Sequence, residues 1–450
     1  VAIPKTLPAQ RDFSAGQLDE VMARRDDLEI QRAGGLVVAD VDLPSNSGMK
    51  RRPGGQMRYK AGRPHDTVEP SPGVVFDIVF GNAKIDFYDG EELAQSLTGF
   101  PWSAAIVEEL DWVAFGQFIV VVHQSHIPQV VTYDLVAGTW SRGDYAFAAG
   151  VGAQLAAPFY RFANPTIRMQ PSARTGSVTI TFSSAFLVAG HVGTLIKWHG
   201  VQLLITAVAS ATSGTATVLD TLPPSYQIRF VDGAGFNIGD VIEGVTSGAR
   251  GVVTHKFLDT TWRIEVVTDQ QFQAFGSTEK VVGPTRTDTN TNTTLIDPVN
   301  SFIWEEQFMS DVRGWPGAVN FDRGRLIFTD FAQLTTAIIW SAIGAYDDLE
   351  AGDQADDAIF ETVPSQSRVL HVTGGADEFV FTDEGVYYIP ISADTPLAPG
   401  FMEFREIGTG GAAGIKPVTT NQGTIYVNTG LSQIMVVRPT GQTAQPYALD

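Results

Sequence analysis

The densest group of chemistry-bearing side chains in this sequence is cationic. Residues 50–64 carry Lys50, Arg51, Arg52, Arg58, Lys60 and Arg63 and no acid, six of the 30 Lys and Arg in a chain of net charge −20. Guanidinium and ammonium groups gathered on one Pro/Gly-rich stretch suit an acidic partner, either a carboxylate-rich protein surface or a phosphate backbone. A second group is acidic: Asp347, Asp348, Glu350, Asp353, Asp356 and Asp357, around Gly352. Oxygen ligands beside a turning glycine suit calcium, but the spacing fits no EF-hand loop. A solvated, self-repelling loop is the simpler expectation. In an oligomer the same run could receive the basic segment of a neighbouring copy.

Other constellations lead to less. His123 and His126 are three apart, which in a single strand places them on opposite faces, and no Cys or obvious third ligand accompanies them. His191 and His199 stand alone and read as structural or surface residues. Gly408 to Gly414 has the glycines of a dinucleotide loop, but Pro417 would interrupt the helix that must follow. That stretch reads as a turn between strands. Arg142-Gly143-Asp144 suits a turn as well. There is no Gly-x-Ser-x-Gly elbow and no carboxylate pair that stands out as a glycosidase acid and nucleophile. No catalytic, metal-binding or cofactor-binding residue is expected, and no cofactor.

The elements that carry these groups are strands. With 45 Gly, 44% hydrophobic and 18% charged residues and no Cys, the composition is that of a folded chain without disulfides or thiolate metal sites. No apolar run reaches the length of a membrane-spanning helix, and no secretory pattern opens the chain, so stable membrane insertion is not expected. Alternation with period two marks Val74–Phe80, Lys84–Tyr88, Trp112–Phe115, Gln117–His123 and Val130–Asp134. It resumes with Ala318–Phe321, Arg325–Thr329 and Thr336–Ser341. Further strands are expected at Arg368–Val372, Glu378–Thr382, Gly385–Ile389, Phe401–Ile407, Lys416–Thr420, Thr424–Asn428 and Gln433–Arg438. The recurring apolar strand, Gly- or Asp-centred turn and second apolar strand read as propeller blades.

The expected fold is therefore all-β: a propeller-like meander interrupted by an insertion of small β-barrels, with a short helical N-terminal arm. The expected divisions are 1–70 for the arm and basic segment, 71–160 for the first part of the propeller-like domain, 161–310 for two inserted barrels and 311–450 for its continuation. The helix is placed at 15–33, where Ser14 and Gln17 have capping-box spacing before Leu18, Val21, Met22 and Leu28. The polar run Asp288 to Thr294 is expected to be a loop.

Two patterns carry a family resemblance. Phe13-Ser14-x-Gly16-x-Leu18, Arg25-Asp26-x-Leu28 and Gly48-x-x-x-Arg52-Pro53-Gly54 form the first. Gly314-Trp315-Pro316-x-Ala318-Val319-x-Phe321, Arg325-Leu326-Ile327-Phe328, Ile339-Trp340-Ser341 and Gly344-x-Tyr346 form the second. Together they resemble the tail nozzle (tail tubular protein B-like) proteins of short-tailed bacteriophages. The chain departs from the pattern at Asp40 to Leu43, which lacks an expected aromatic, and family chains run past the point equivalent to Asp450. The resemblance implies a homo-oligomeric ring, usually a hexamer, in the virion tail, assembled in the host cytoplasm. Such a ring extends the DNA-ejection channel below the portal and its tail adaptor, gates the genome, anchors tail fibres or spikes and passes genomic DNA without reading its sequence. The six cations at 50–63 would then contact adaptor or neighbouring subunits. The alternatives are a propeller polysaccharide-degrading enzyme and a carbohydrate-binding module of a virion.

Overall fold

Alternation of apolar side chains builds the first sheet. Val74–Gly81 turns Phe76, Ile78 and Phe80 to one face, and Ile85 and Phe87 of Lys84–Asp89 join them, all buried. His65–Ser71 and Glu92–Thr98 complete a four-stranded antiparallel meander whose spatial order is its chain order. Four more sheets repeat that order. The second is Asp111–Phe115, Phe118–His123, His126–Asp134 and Thr139–Asp144, with Gly116 turning its first hairpin at φ 49°. The third is Pro316–Asp322, Arg325–Phe331, Ala337–Trp340 and Ile359–Thr362. The fourth is Val369–Thr373, Glu378–Thr382, Val386–Ile389 and Arg405–Gly408. The fifth is Val418–Thr420, Gly423–Val427, Ile434–Pro439 and Tyr447–Leu449.

The computed structural model describes residues 64–231, 235–257, 263–269, 273–392, 395–442 and 445–450, together with four two-residue strands before residue 64. The chain is all-β, with no α-helix among the described residues. It divides into two units, Val1–Gly62 and Arg63–Asp450. In the first, Gly16–Gln17 pairs in parallel with Gly34–Gly35, and Val41–Asp42 pairs antiparallel with Lys50–Arg51. The helix expected at 15–33 otherwise lies outside the described residues. Its expected start, at Gly16–Gln17, is extended backbone instead.

Consecutive meanders pack face to face. The first and second share Phe76, Phe87, Ile119, Val131 and Trp140, with Phe87 stacked on Trp140 at 4.5 Å. The second and third share Val120, Val122, Leu326 and Phe328, the third and fourth Ile338, Trp340, Val372 and Val380, the fourth and fifth Phe381, Tyr388, Tyr426 and Tyr447. Each fully buried aliphatic or aromatic side chain contributes about 1.5–3 kcal/mol, so these junctions hold the sheets in place.

Between the second and third meanders the chain builds two further bodies. One is a seven-stranded open sheet rather than the expected barrel; the chain enters it at Phe159–Tyr160 and leaves it at Trp304–Gln307, adjacent strands on one side. Its core centres on Trp198 and Trp304. The other is a closed six-stranded barrel around Ile228, Phe236, Ile242 and Val266, as expected. One of its strands, Thr287–Ile296, covers the run expected to be a loop. The polar sequence is accommodated because Asn290, fully buried, donates to Gly276 O at 2.7 Å and to Thr293 Oγ1 at 2.8 Å. A satisfied amide can take the inward position that an apolar side chain would otherwise fill.

Candidate functional site

The opening strands of the five meanders, or the segments leading into them, line one cavity of about 800 Å³. Asp66, Asp111, Ala318, His371 and Lys416 represent the five in turn, and Asp330 joins from the second strand of the third. The charged groups here are tied across sheets. Lys416 Nζ donates to Asp111 Oδ1 at 3.0 Å, to Trp112 O at 2.5 Å and to Val319 O at 2.7 Å. The other oxygen of Asp111 accepts the Val319 amide at 2.8 Å. One ammonium and one carboxylate thereby join the fifth, second and third meanders.

Asp330 does the same for the second, third and fourth. It accepts Gln124 Nε2 at 3.0 Å and Arg368 Nε at 2.5 Å, and that carboxylate raises the arginine pKa further. Asp66 accepts the Trp112 indole N–H at 2.9 Å, joining the first meander to the second. His371 is buried, which lowers its pKa, while Asp111 pulls it up and Lys416 pushes it down. With these acids and Lys416 already partnered, the cavity wall is a lock between sheets. Of the carboxylates in its wall, Asp66, Glu108 and Glu109 are exposed.

Beside it, Ser125 Oγ lies 2.8 Å from His123 Nδ1 and His123 Nε2 lies 3.2 Å from Glu109 Oε2. That connectivity is a nucleophile, a base and an orienting acid. The same Nδ1 also accepts the Ser125 amide at 3.2 Å, and the Glu109 side chain is 65% exposed. The arrangement is a clasp on the hairpin turn. The turn also corrects the expectation for its two histidines. Gln124 and Ser125 form the turn, so His123 and His126 are cross-strand partners with ring centroids 5.8 Å apart, not opposite-facing residues of one strand. Among the described residues no three His, Asp or Glu side chains gather as a metal site.

The acidic run is more structured than a self-repelling loop. Leu349 at its centre is fully buried, and its amide donates to Ala156 O at 2.9 Å. Beneath it lies Arg325, only 1% exposed, whose guanidinium donates to Ser341 O, Ala355 O and Asp357 O at 2.6–2.7 Å. Glu350 pairs with Lys197 of the inserted sheet at 2.7 Å. Asp347, Asp353 and Asp356 point to solvent, while Asp348 and Asp357 are half-buried. Asp357 accepts the Gln354 amide. No signal along the chain marked Arg325 as the organiser of this loop, because its partners are carbonyls.

Of the basic segment, Lys50–Arg51 is described as a short strand, and Arg52, Arg58, Lys60 and Arg63 lie outside the described residues. Arg142-Gly143-Asp144 lies in a strand, not a turn, with Arg142 donating to Thr98 O of the first meander. The 408–414 stretch is held between the fourth and fifth meanders: Gly411 passes so close to Asp383 O that a Cβ would sit 1.9 Å from it. Here glycine is required by close approach.

No family model matches the sequence, and no curated protein does. Among solved structures, apo AztD from Citrobacter koseri is 11% identical, with 85% of this chain and 84% of that one covered and a TM-score of 0.25. An auxiliary nutrient binding protein from Bacteroides thetaiotaomicron is 6% identical over 64% and 86%, TM-score 0.20. Saccharomyces cerevisiae Sqt1 is 9% identical over 79% and 89%, TM-score 0.17. None of the three is described as a tail protein.

Proposed function

We propose that this chain is a non-catalytic structural protein of a short-tailed phage particle, with its five meanders acting as blades of a propeller-like scaffold. The observation that carries this reading is the state of the central carboxylates. Asp66, Asp111 and Asp330 are each bonded to a donor from another sheet, so the place where a propeller enzyme would keep its reactive acids is occupied by ties between blades. The nozzle resemblance supplies the specific form. Its second pattern runs through the third meander, where Arg325 and Trp340 are buried in contacts that set neighbouring segments.

In this reading the copies close into a ring, six by resemblance, between tail adaptor and fibres or spikes, and DNA passes through a lumen whose acidic subunits repel phosphate. The basic segment 50–64 meets carboxylates of adaptor or neighbouring copies. The protein resides in the virion, after assembly in the host cytoplasm. Negative-stain imaging of the purified chain tests this: rings with a central hole are expected. Replacing Arg51, Arg52 and Arg58 together by Ala should weaken ring assembly, more so at low salt than at high salt. A compact monomer under all ionic conditions overturns the proposal.

A second reading is a carbohydrate-binding module or a polysaccharide-degrading enzyme of a virion. Its support is the open cavity, with Trp112 and the exposed Glu108 and Glu109 in its wall. Turnover of capsular polysaccharide, lost in a Glu108→Gln, Glu109→Gln double variant, would establish the enzymatic form, and saturable glycan binding without turnover the module.

A further inference from the structure

A cleft of about 490 Å³ opens between the second and third meanders, and its chemistry differs from that of the central cavity. Val120 and Leu326, both buried, form its floor. Its walls are aromatic. Strand register pairs Phe115 with Phe118 across the Gly116 turn, with ring centroids 5.7 Å apart. Tyr346, from the loop after Ala337–Trp340, meets Phe115 edge to face at 4.8 Å and Phe118 at 6.4 Å. These groups are held in place from outside the cleft. Phe321 stacks on Phe115 at 4.5 Å, and the Tyr145 hydroxyl donates to Tyr346 O at 2.7 Å.

The charged lining is of one sign. Asp144 and Asp347 are exposed at the cleft, and no Lys, Arg, His, Asn or Gln lines it. Gln129 Nε2 donates to one oxygen of Asp144 at 2.8 Å. Burial raises the pKa of Tyr145 most, and Asp347 and Asp348 raise it further, so negative potential reaches this part of the molecule. Elsewhere guanidinium groups already cover aromatic faces, Arg161 over Trp304 at 3.6 Å and Arg263 over Phe257 at 4.3 Å. Among the described residues no Lys or Arg lies over Phe115, Phe118 or Tyr346.

We propose that this cleft binds a small organic cation, an ammonium group carried on an apolar body. The lining itself selects that class. Two carboxylates with no cation beside them repel phosphate and carboxylate ligands. A sugar must have its oxygens met by donors as well as acceptors, and no amide or cationic side chain is present to donate. An alkylated ammonium needs no acceptor of its own. It gains from aromatic faces and carboxylates together, and most where water is excluded. The apolar floor takes the body of the ligand, and the volume is that of a small-molecule site. This site does not depend on ring assembly or on the proposed place in a tail.

Isothermal titration calorimetry of the full chain with choline tests the proposal, with 3,3-dimethylbutanol as the uncharged molecule of the same shape. Choline should bind saturably, and about tenfold or more tighter than the alcohol. Asp144→Asn with Asp347→Asn should weaken choline by about tenfold, with the circular dichroism spectrum unchanged because both side chains are exposed. Phe118→Leu keeps an apolar side chain but removes a ring face, and should weaken choline by about fivefold. Glu91→Gln with Glu92→Gln removes the same charge from an exposed turn of the first meander and should leave the affinity unchanged. No choline binding at millimolar concentration overturns the proposal, as does equal affinity for the two molecules. Choline binding that neither cleft variant weakens overturns it too. Binding of maltohexaose that both cleft variants abolish would assign the cleft to a glycan and overturn it as well.

Discussion

Arg325 of the third meander and Glu378 of the fourth are both buried, at 1% and 0% exposure, and meet burial in opposite ways. Arg325 directs its donors to three carbonyls, and Glu378, Asp356 and Asp357 offset the pKa decrease that desolvation causes. It stays charged. Glu378 receives only the Trp340 indole N–H, at 2.9 Å, and its other oxygen has no hydrogen-bond partner. Desolvation pushes its pKa up to about 8, with Asp322 adding to the rise and Arg323 opposing it. It is protonated at neutral pH. The difference shows that burial alone does not decide the ionisation of a group; the supply of suitably placed partners does.

The comparison can be broken first at Arg325. Arg325→Met should leave three inward carbonyls without donors and lower stability by about 3–5 kcal/mol, measured by chemical denaturation. The 347–357 loop should become a preferred site of limited proteolysis, because its tether is gone. Equal stability and unchanged protection would refute the role given to the guanidinium.

Glu378 sharpens the contrast through pH. Its folded pKa lies above its unfolded value, so between about 4.5 and about 8 the folded state binds more protons than the unfolded state. Stability from this group is therefore full below pH 4.5, falls as pH rises through that window and is flat above it. The shift corresponds to a loss of at most about 4–5 kcal/mol at 1.36 kcal/mol per unit. Glu378→Gln should remove that slope, and thermal melts of the two proteins across the window should diverge as pH rises. Parallel curves would show that Glu378 does not titrate there.

The smallest expected effect is at the cavity. Lys416→Met removes three donors that join three meanders, but the lysine side chain is 32% exposed, so solvent screening limits the loss to about 1–2 kcal/mol. The loss should shrink in an Asp111→Asn background by the part owed to the ion pair, the bonds to Trp112 O and Val319 O remaining, which a double-mutant cycle measures. Additive losses would mean that the two side chains act separately.

Legibility along the chain followed burial. Glu378–Thr382 and Lys84–Asp89 were read to within a residue because apolar side chains and turn glycines mark them. Glu92–Thr98, Ile359–Thr362 and Tyr447–Leu449, the outermost strands of three meanders, went unread, as did His65–Ser71. Glu92–Thr98 shows why: one-sided pairing leaves it exposed along most of its length, and selection for an apolar face is weak there. Thr287–Ile296 was missed for a different reason, since its inward Asn290 is satisfied by hydrogen bonds that hydropathy does not register. The six cations of 50–63 were conspicuous as charge but mostly lie outside the described residues. The acidic run was conspicuous too, yet its order comes from Arg325, Leu349 and Lys197, whose partners lie across the fold.

From the residues alone came the all-β class, the hairpins, the absence of thiol chemistry and the segregation of charge, because period, turn chemistry and composition are local properties. Which carboxylates lock sheets together and which histidines face each other were decided by the tertiary structure. Those depend on pairing register and on contacts between residues as far apart as Asp111 and Lys416, whose energies arise only when the sheets pack.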